Sequence, residues 1–211
     1  MRTLPGYAAV ILAGGGGRRL GGPAKPALPV AGTPMLHRVL AAVADASPRI
    51  VVGPVPVELP ADVRCTTEQP AGGGPAAATA AGLALLPPGI GQVALLAADL
   101  PLLTSSDLHR LRATLASDPD LDGAVYVDRD NRPQWLCGVW RSAALSRRRA
   151  ALPADLTGWP LRRLLSPLRA GRVTAMTDPP PWWDCDTEQQ LRVAEQWAAQ
   201  RSTEVDDGHV G

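Results

Sequence analysis

Apolar positions in the first half of the chain fall into short unbroken runs, separated by stretches rich in glycine, proline or charge. Residues 8–13 (AAVILA) make one such run, stopped by glycines, and residues 92–98 (QVALLAA) make another, stopped by Asp99. Runs this short with no polar face fit strands covered on both sides. Residues 49–52 and 62–66 read as further short strands, as do 124–127, 135–140 and 172–176. Helical spacing appears at 34–46 (PMLHRVLAAVADA), with Thr33 as N-cap and Pro34 in the first turn. It recurs at 76–86, where Pro87 and Pro88 end it, at 104–117, where Thr104 and Asp107 suit a capping pattern, and at 142–150 and 187–200. Strands alternating with helices predict an α/β fold, a three-layer, doubly wound and mostly parallel sheet. With no repeat and no break in composition, residues 1–200 read as a single domain and the polar residues 201–211 as a disordered tail. Such sheets bind ligands beyond the carboxyl ends of their strands. The positions to inspect are therefore those following Ala13, Ala98 and Asp184.

Composition narrows the function. Across 211 residues, 21 basic side chains meet 20 acidic ones, a formal net charge of +1. That balance supplies no field for non-specific binding of nucleic acid or of a membrane surface. No apolar run nears the roughly 20 residues that span a bilayer, and no basic stretch precedes residues 8–12 as in a signal peptide. A cytoplasmic protein is the expectation. Cys65, Cys137 and Cys185 lack metal-ligand spacing and read as reduced structural cysteines. His37, His109 and His209 are scattered and read as surface or helix positions. Lys25 is the only lysine, against twenty arginines. Its place in the chain gives that singularity meaning.

Lys25 closes the segment that follows the first predicted strand, LAGGGGRRLGGPAK, residues 12–25. Glycines let backbone N–H groups approach phosphates and adopt positive φ. Arg18, Arg19 and Lys25 add cationic donors for phosphate oxygens. The combination is a grip for a polyphosphate. A P-loop would need Ser or Thr after the lysine, and Pro26 stands there. A dinucleotide fingerprint would lead straight into a helix and carry an acidic residue some 20 positions on, whereas arginines and prolines interrupt this loop. Asp99, at the mouth of a buried strand, suits a Mg²⁺ ligand and equally a helix or turn cap.

The loop resembles the signature L-A-G-G-x-x-R-R-M-G-G-x-D-K of molybdenum-cofactor guanylyltransferases and their MobA-like relatives, differing at Leu20 and Ala24. The following KPALPVAGTPML, residues 25–36, is similar to that family's K-x-L-L-x-V-x-G-x-P-M-L, and the segment around Asp99 to its C-D-x-P-F-[LI]. Asp184-Cys185-Asp186-Thr187 resembles N-[IV]-N-T or D-[IV]-D-T. Glu68 to Pro75 resembles the nucleotide loop D-x-x-x-G-P-L-A-G, with either Glu68 or Gln69 in the aspartate's place. Arg132-Pro133-Gln134-Trp135-Leu136 is similar to R-x-Q-P-L on the acceptor side. Many relatives carry an asparagine after the second strand, where this chain has Gly53.

The resemblance implies a Rossmann-like nucleotidyltransferase fold and a Mg²⁺-dependent enzyme that transfers GMP from GTP to molybdopterin or the molybdenum cofactor, releasing pyrophosphate. It implies catalytic roles for Arg19, Lys25 and Asp99. It implies nucleotide contacts from Leu12, Ala13, Gly14, Gly15, Arg18, Arg19, Lys25, Glu68, Gly74 and Asp99. Asp99 and Asp186 become metal ligands, though Asp186 equally suits the cap of the last helix. Gln134 becomes an acceptor contact, against the plain alternative of a solvent-facing strand residue. Transient contact with other proteins of the cofactor pathway follows from the same resemblance. The competing enzyme readings are a molybdopterin cytidylyltransferase or a sugar-phosphate nucleotidyltransferase. A competing reading of another class is a nucleotide-binding module without turnover. The L-A-G-G opening favours guanine.

Overall fold

The computed structural model describes residues 4–14, 22–55 and 57–207. Its centre is β1, Tyr7–Leu12, whose six residues are all buried. No polar face is present because none is needed: β1 lies in the middle of a seven-stranded sheet with helices on both sides. β1 pairs in parallel with β4, Arg49–Val52, and with β6, Gln92–Ala97, and β4 pairs in parallel with the edge strand β5, Val63–Thr66. A small hairpin of β2, Pro29–Val30, and β3, Thr33–Pro34, stands apart from the sheet. Beyond β6 the direction reverses. β8, Pro133–Arg141, is antiparallel to both β6 and β7, Gly123–Val127, while β9, Ala170–Thr174, runs parallel to β7. The strand order is β5-β4-β1-β6-β8-β7-β9. The two antiparallel pairings give β7 the direction of β6, so the turn between β7 and β8 lies at the carboxyl end of β6.

The helices form the outer layers expected of such a sheet. On one face lie α1, Met35–Ala42, and α3, Ser105–Ser117, whose Leu36, Val39, Leu40, Leu108, Leu111 and Leu115 pack on Ala9, Ile11, Val51 and Leu96. On the other lie α2, Pro75–Ala84, α4, Ser142–Ala150, and α5, Leu161–Leu165, set against Val10, Leu12, Ile50, Val52 and Trp140. A Cβ on Gly82 of α2 would lie 2.4 Å from a methyl of Val10, so the glycine sets how closely α2 approaches β1. α3 is capped as its sequence predicts: the Thr104 hydroxyl accepts from Asp107 N at 3.3 Å, and the Asp107 carboxylate accepts from Thr104 N at 3.0 Å.

Several element bounds shift by a few residues, and three differences matter most. The first helix begins at Met35 because Thr33 and Pro34 belong to β3, paired with β2. α5 has no counterpart in the sequence reading, since five residues give too little of a helical period to stand out. The closing helix α6, Glu188–Asp207, continues past residue 201, where composition begins a tail. It packs through Ala194 and Ala198 with Val30, Met35, Leu102 and Cys185 in a third apolar cluster, next to the small hairpin rather than on the sheet.

Candidate active site

The ends of three adjacent strands are knitted together just before the residues of interest. Ala13 N donates to Val52 O at 2.8 Å, and Ala98 N donates to Leu12 O at 3.0 Å. Gly14, Gly53 and Asp99 therefore emerge side by side at the carboxyl edge. Leu12 and Ala13 are buried and spend these backbone groups on the sheet, while Gly14 is exposed. Gly53 has φ +114°, and a Cβ there would lie 2.7 Å from Gly14 N. The two loops meet backbone to backbone, which only glycine allows. Gly15, Arg18 and Arg19 lie outside the described residues.

The chain returns to this edge through a 3-10 turn, Gly22–Ala27, which carries Lys25. The Lys25 ammonium donates to Asp99 Oδ2 and, at 2.5 Å, to Asp186 Oδ1. Its side chain is 9% exposed, against 23% for Asp99 and 55% for Asp186. Burial alone would lower the lysine pKa, but the two carboxylates outweigh it and raise the value, so the ammonium stays charged. Asp184 shares this field. Burial, then Asp186 and Asp99, push its carboxyl above the ordinary range, with Lys25 opposing. One ammonium thus bonds two carboxylates, with a third in the same field. Nothing in the sequence predicts that the chain's one lysine pairs with Asp99; the two are 74 positions apart, and Lys25 and Asp186 are 161 apart.

The segment 184–187 shows why Asp186 reaches this point. Cys185 is fully buried in the third cluster, and burial pushes its thiol up to about 12. Asp184 and Asp186 flank it, one residue away on either side; Asp186 accepts from Lys25, while Asp184 Oδ1 accepts from Gln190 Nε2 at 3.4 Å. The cap of α6 is supplied by Thr187, whose Oγ1 accepts from Gln190 N at 3.2 Å. The alternative of Asp186 as the capping side chain is thereby corrected, because its carboxylate is committed to Lys25. Gln190, which the sequence reading does not single out, braces the segment by accepting from Asp186 N at 3.0 Å and from the Thr187 hydroxyl at 3.1 Å. Its signal is present in Thr187-x-x-Gln190, a capping-box spacing.

Other predicted residues have plainer surroundings. The Glu68 carboxylate turns into its own loop and accepts from Gly72 N at 3.0 Å, while Gln69 is exposed. Gly74, φ +91°, leads into α2, with Pro75 at its first turn. Gln134 Nε2 donates to Asp128 Oδ2 and to Arg132 O, each at 3.3 Å, within the β7–β8 turn. An unanticipated neighbour of the Gly74 loop is the segment before α5: Gly158 N donates to Gly73 O at 2.8 Å, and the Arg163 guanidinium lies 3.6 Å from the centre of the Trp159 ring. Among the described residues, no group of three His, Cys, Asp or Glu side chains is gathered as a ready metal cage, and no helix is long and apolar enough to cross a membrane. All three cysteines are free thiols.

A largely parallel sheet with Lys25, Asp99 and Asp186 meeting at its carboxyl edge, beside Gly14, fits a nucleotidyltransferase. The chain belongs to the family of MobA-like NTP transferase domains, whose profile matches residues 9–173. Asp184 and Asp186 fall beyond that matched stretch. The fold is shared with molybdopterin-guanine dinucleotide biosynthesis protein A from Archaeoglobus fulgidus, at a TM-score of 0.67 and 18% identity over 92% of this chain and 100% of that one. It is shared with the Rv0371c homolog from Mycobacterium sp. strain JC1, at 0.67 and 24% identity over 92% and 97%. It is also shared with 2-C-methyl-D-erythritol 4-phosphate cytidylyltransferase from Thermus thermophilus, at 0.61 and 18% identity over 92% and 100%. No curated protein matches the chain in sequence.

Proposed function

We propose that this protein transfers GMP from GTP to the terminal phosphate of molybdopterin, or of its molybdenum form, and releases pyrophosphate. The observation that carries the reading is the convergence of Lys25, Asp99 and Asp186 beside the start of the glycine loop. An acceptor phosphate oxygen forms a bond to the α-phosphorus of GTP. The bond from that phosphorus to the bridging oxygen breaks, and its electron pair leaves on pyrophosphate. The acceptor phosphate is already ionised, so no general base is required. The protein's work is to hold the two phosphates in line and to balance charge on the leaving group. Backbone N–H groups of the glycine segment, Arg18, Arg19 and Lys25 serve that end. Losing one such donor is expected to raise the barrier by about 3–4 kcal/mol. Glu68 and Gly74 shape the loop at the nucleotide side, and Gln134 lies at the acceptor side.

The donor set fits Mg²⁺. Asp99 and Asp186 offer hard carboxylate oxygens to one cationic point, now filled by the Lys25 ammonium, and Mg²⁺ is commonly held by one or two carboxylates plus substrate phosphates. Asp99 and Asp186 would hold it, and its chemistry there is neutralisation of phosphate charge. The test is to incubate the protein with molybdopterin, Mg²⁺ and each of the four NTPs, and to weigh the products. GTP should give the dinucleotide and an equal amount of pyrophosphate. Faster turnover with CTP would overturn the guanine preference, with Gly53 as the position to suspect. No pyrophosphate from any NTP would favour a binding module.

A further inference from the structure

We infer that Lys25 is the resident counter-ion of the Asp99–Asp186 pair and must leave that pair before a divalent cation can be held there, so that cation entry and release of the lysine toward the phosphates are one exchange. This rests on the proposed reaction for its purpose, though not for its test. The argument begins with space. Both carboxylates direct an oxygen at the same ammonium, whose side chain is nearly buried. A Mg²⁺ bridging those oxygens at about 2.0–2.1 Å would fall where the ammonium sits. Two cations at that separation repel, so one must yield.

The second argument is mobility. Lysine's charge rides on a flexible four-carbon stem and bonds through any of three donors, so it can change partners with little motion of its backbone. Asp99 follows Ala98, which is tied to Leu12 O at the end of β6, and Asp186 is braced by Gln190, so the carboxylates are the fixed members and the ammonium the movable one. Charge is the third argument. One ammonium between two carboxylates leaves a formal surplus of one negative charge, from one positive and two negative. Replacing a single positive charge by a double one reduces that surplus. The ammonium then needs new anionic partners, and nucleotide phosphates provide them. Nucleotide should therefore tighten divalent-cation binding, and the cation should tighten nucleotide binding by the same factor. A lysine serving only as a fixed structural ion pair would show neither effect.

The lone lysine makes the exchange directly visible. Protein grown on ¹³C-lysine carries one labelled lysine side chain, and its Cε–Hε resonance needs no assignment. In the absence of nucleotide, Mg²⁺ should shift this resonance with the same midpoint that calorimetry gives for Mg²⁺ binding. Lys25→Met, freed of the competitor, should bind Mg²⁺ or Mn²⁺ about tenfold tighter than the natural protein, as expected when a competent state populated near one part in ten becomes the only state. A resonance unmoved by bound Mg²⁺, equal or weaker binding by Lys25→Met, or no Mg²⁺ binding by either protein would each overturn the exchange. Should Lys25→Met fail to fold, the resonance of the natural protein decides alone. Neither readout uses an NTP or an acceptor. Exchange without turnover would refute the proposed reaction only, and turnover with a stationary resonance would refute the exchange only.

Discussion

β1 has a charged cluster at each end, and the two are built on opposite plans. At its amino end, Arg112 donates to Gln92 Oε1 at 3.3 Å and to the Pro5 carbonyl, lies 3.6 Å from Asp45 Oδ2, and covers the Tyr7 ring at 4.1 Å. The Tyr7 hydroxyl donates to Asp45 Oδ1 at 2.6 Å, and burial, followed by Asp45, holds that phenol well above its usual range, so it remains a neutral donor. One cation meets one anion, and neutral acceptors take the rest. At the carboxyl end, Lys25 is shared by two carboxylates, Asp99 and Asp186. Both cations are almost wholly buried, so burial does not separate the two clusters. Balance does. A closed network with matched charge ties elements together; an unbalanced one is arranged to receive something more.

If that contrast is correct, function and stability should dissociate between the two ends. The largest effect is expected for Asp99→Ala. Turnover should fall by about a thousandfold or more, while the melting temperature changes little, because removing a partly exposed carboxylate relieves as much repulsion as it removes attraction. Unfolding of this variant would show that the carboxyl-end cluster is structural after all. Next comes Arg112→Ala, which leaves Gln92 Oε1 and the Pro5 carbonyl without their donor and Asp45 without its counter-charge. Urea unfolding should show a loss of about 2–4 kcal/mol with kcat retained, less than a fully buried pair would forfeit, since Asp45 is 65% exposed. A fall in kcat without a loss of stability would break the comparison.

Much of this contrast could be read only from the fold. Strand β4 and helix α4 are bounded as their patterns predict, because each starts and stops at an abrupt change from apolar to polar or from extended to helical spacing. Lys25, Asp99 and Asp186 could each be marked for its place after a strand or before a helix. Their mutual contact could not, because it depends on three separate returns of the chain to one edge. Gln190 is legible in its spacing from Thr187, yet a glutamine three residues after a threonine does not by itself point to a site. The five-residue α5, resting Leu161, Leu164 and Leu165 against the sheet, offers barely one turn of period.

Two smaller effects refine the picture. Lys25→Arg keeps the charge but replaces a compact ammonium with a planar fork, which cannot share one point between Asp99 and Asp186 in the same way. Its kcat/KM should drop roughly tenfold or more, with stability near that of the natural protein. Wild-type rates would mean that charge alone matters at this position. Gln134→Ala should have the least effect. Its amide is satisfied by Asp128 and Arg132 of its own turn, so the KM for the acceptor should change by about twofold at most, a loss within the range of an ordinary surface substitution. A rise well beyond that would show that Gln134 abandons the turn to contact the acceptor.

The backbone-to-backbone seam between Gly53 and Gly14 has an evolutionary consequence. A side chain at position 53 would overlap Gly14 N and would also have to adopt φ +114°. An asparagine here is therefore not one viable mutation away. An intermediate bearing only that change would have a displaced glycine loop, and selection would encounter a damaged enzyme before any gain in base recognition. The substitution becomes passable only on a background in which the first loop has already drifted outward. Gly53→Asn should therefore displace Gly14 and lower the melting temperature, so the position is closed to any side chain while the two loops meet this closely.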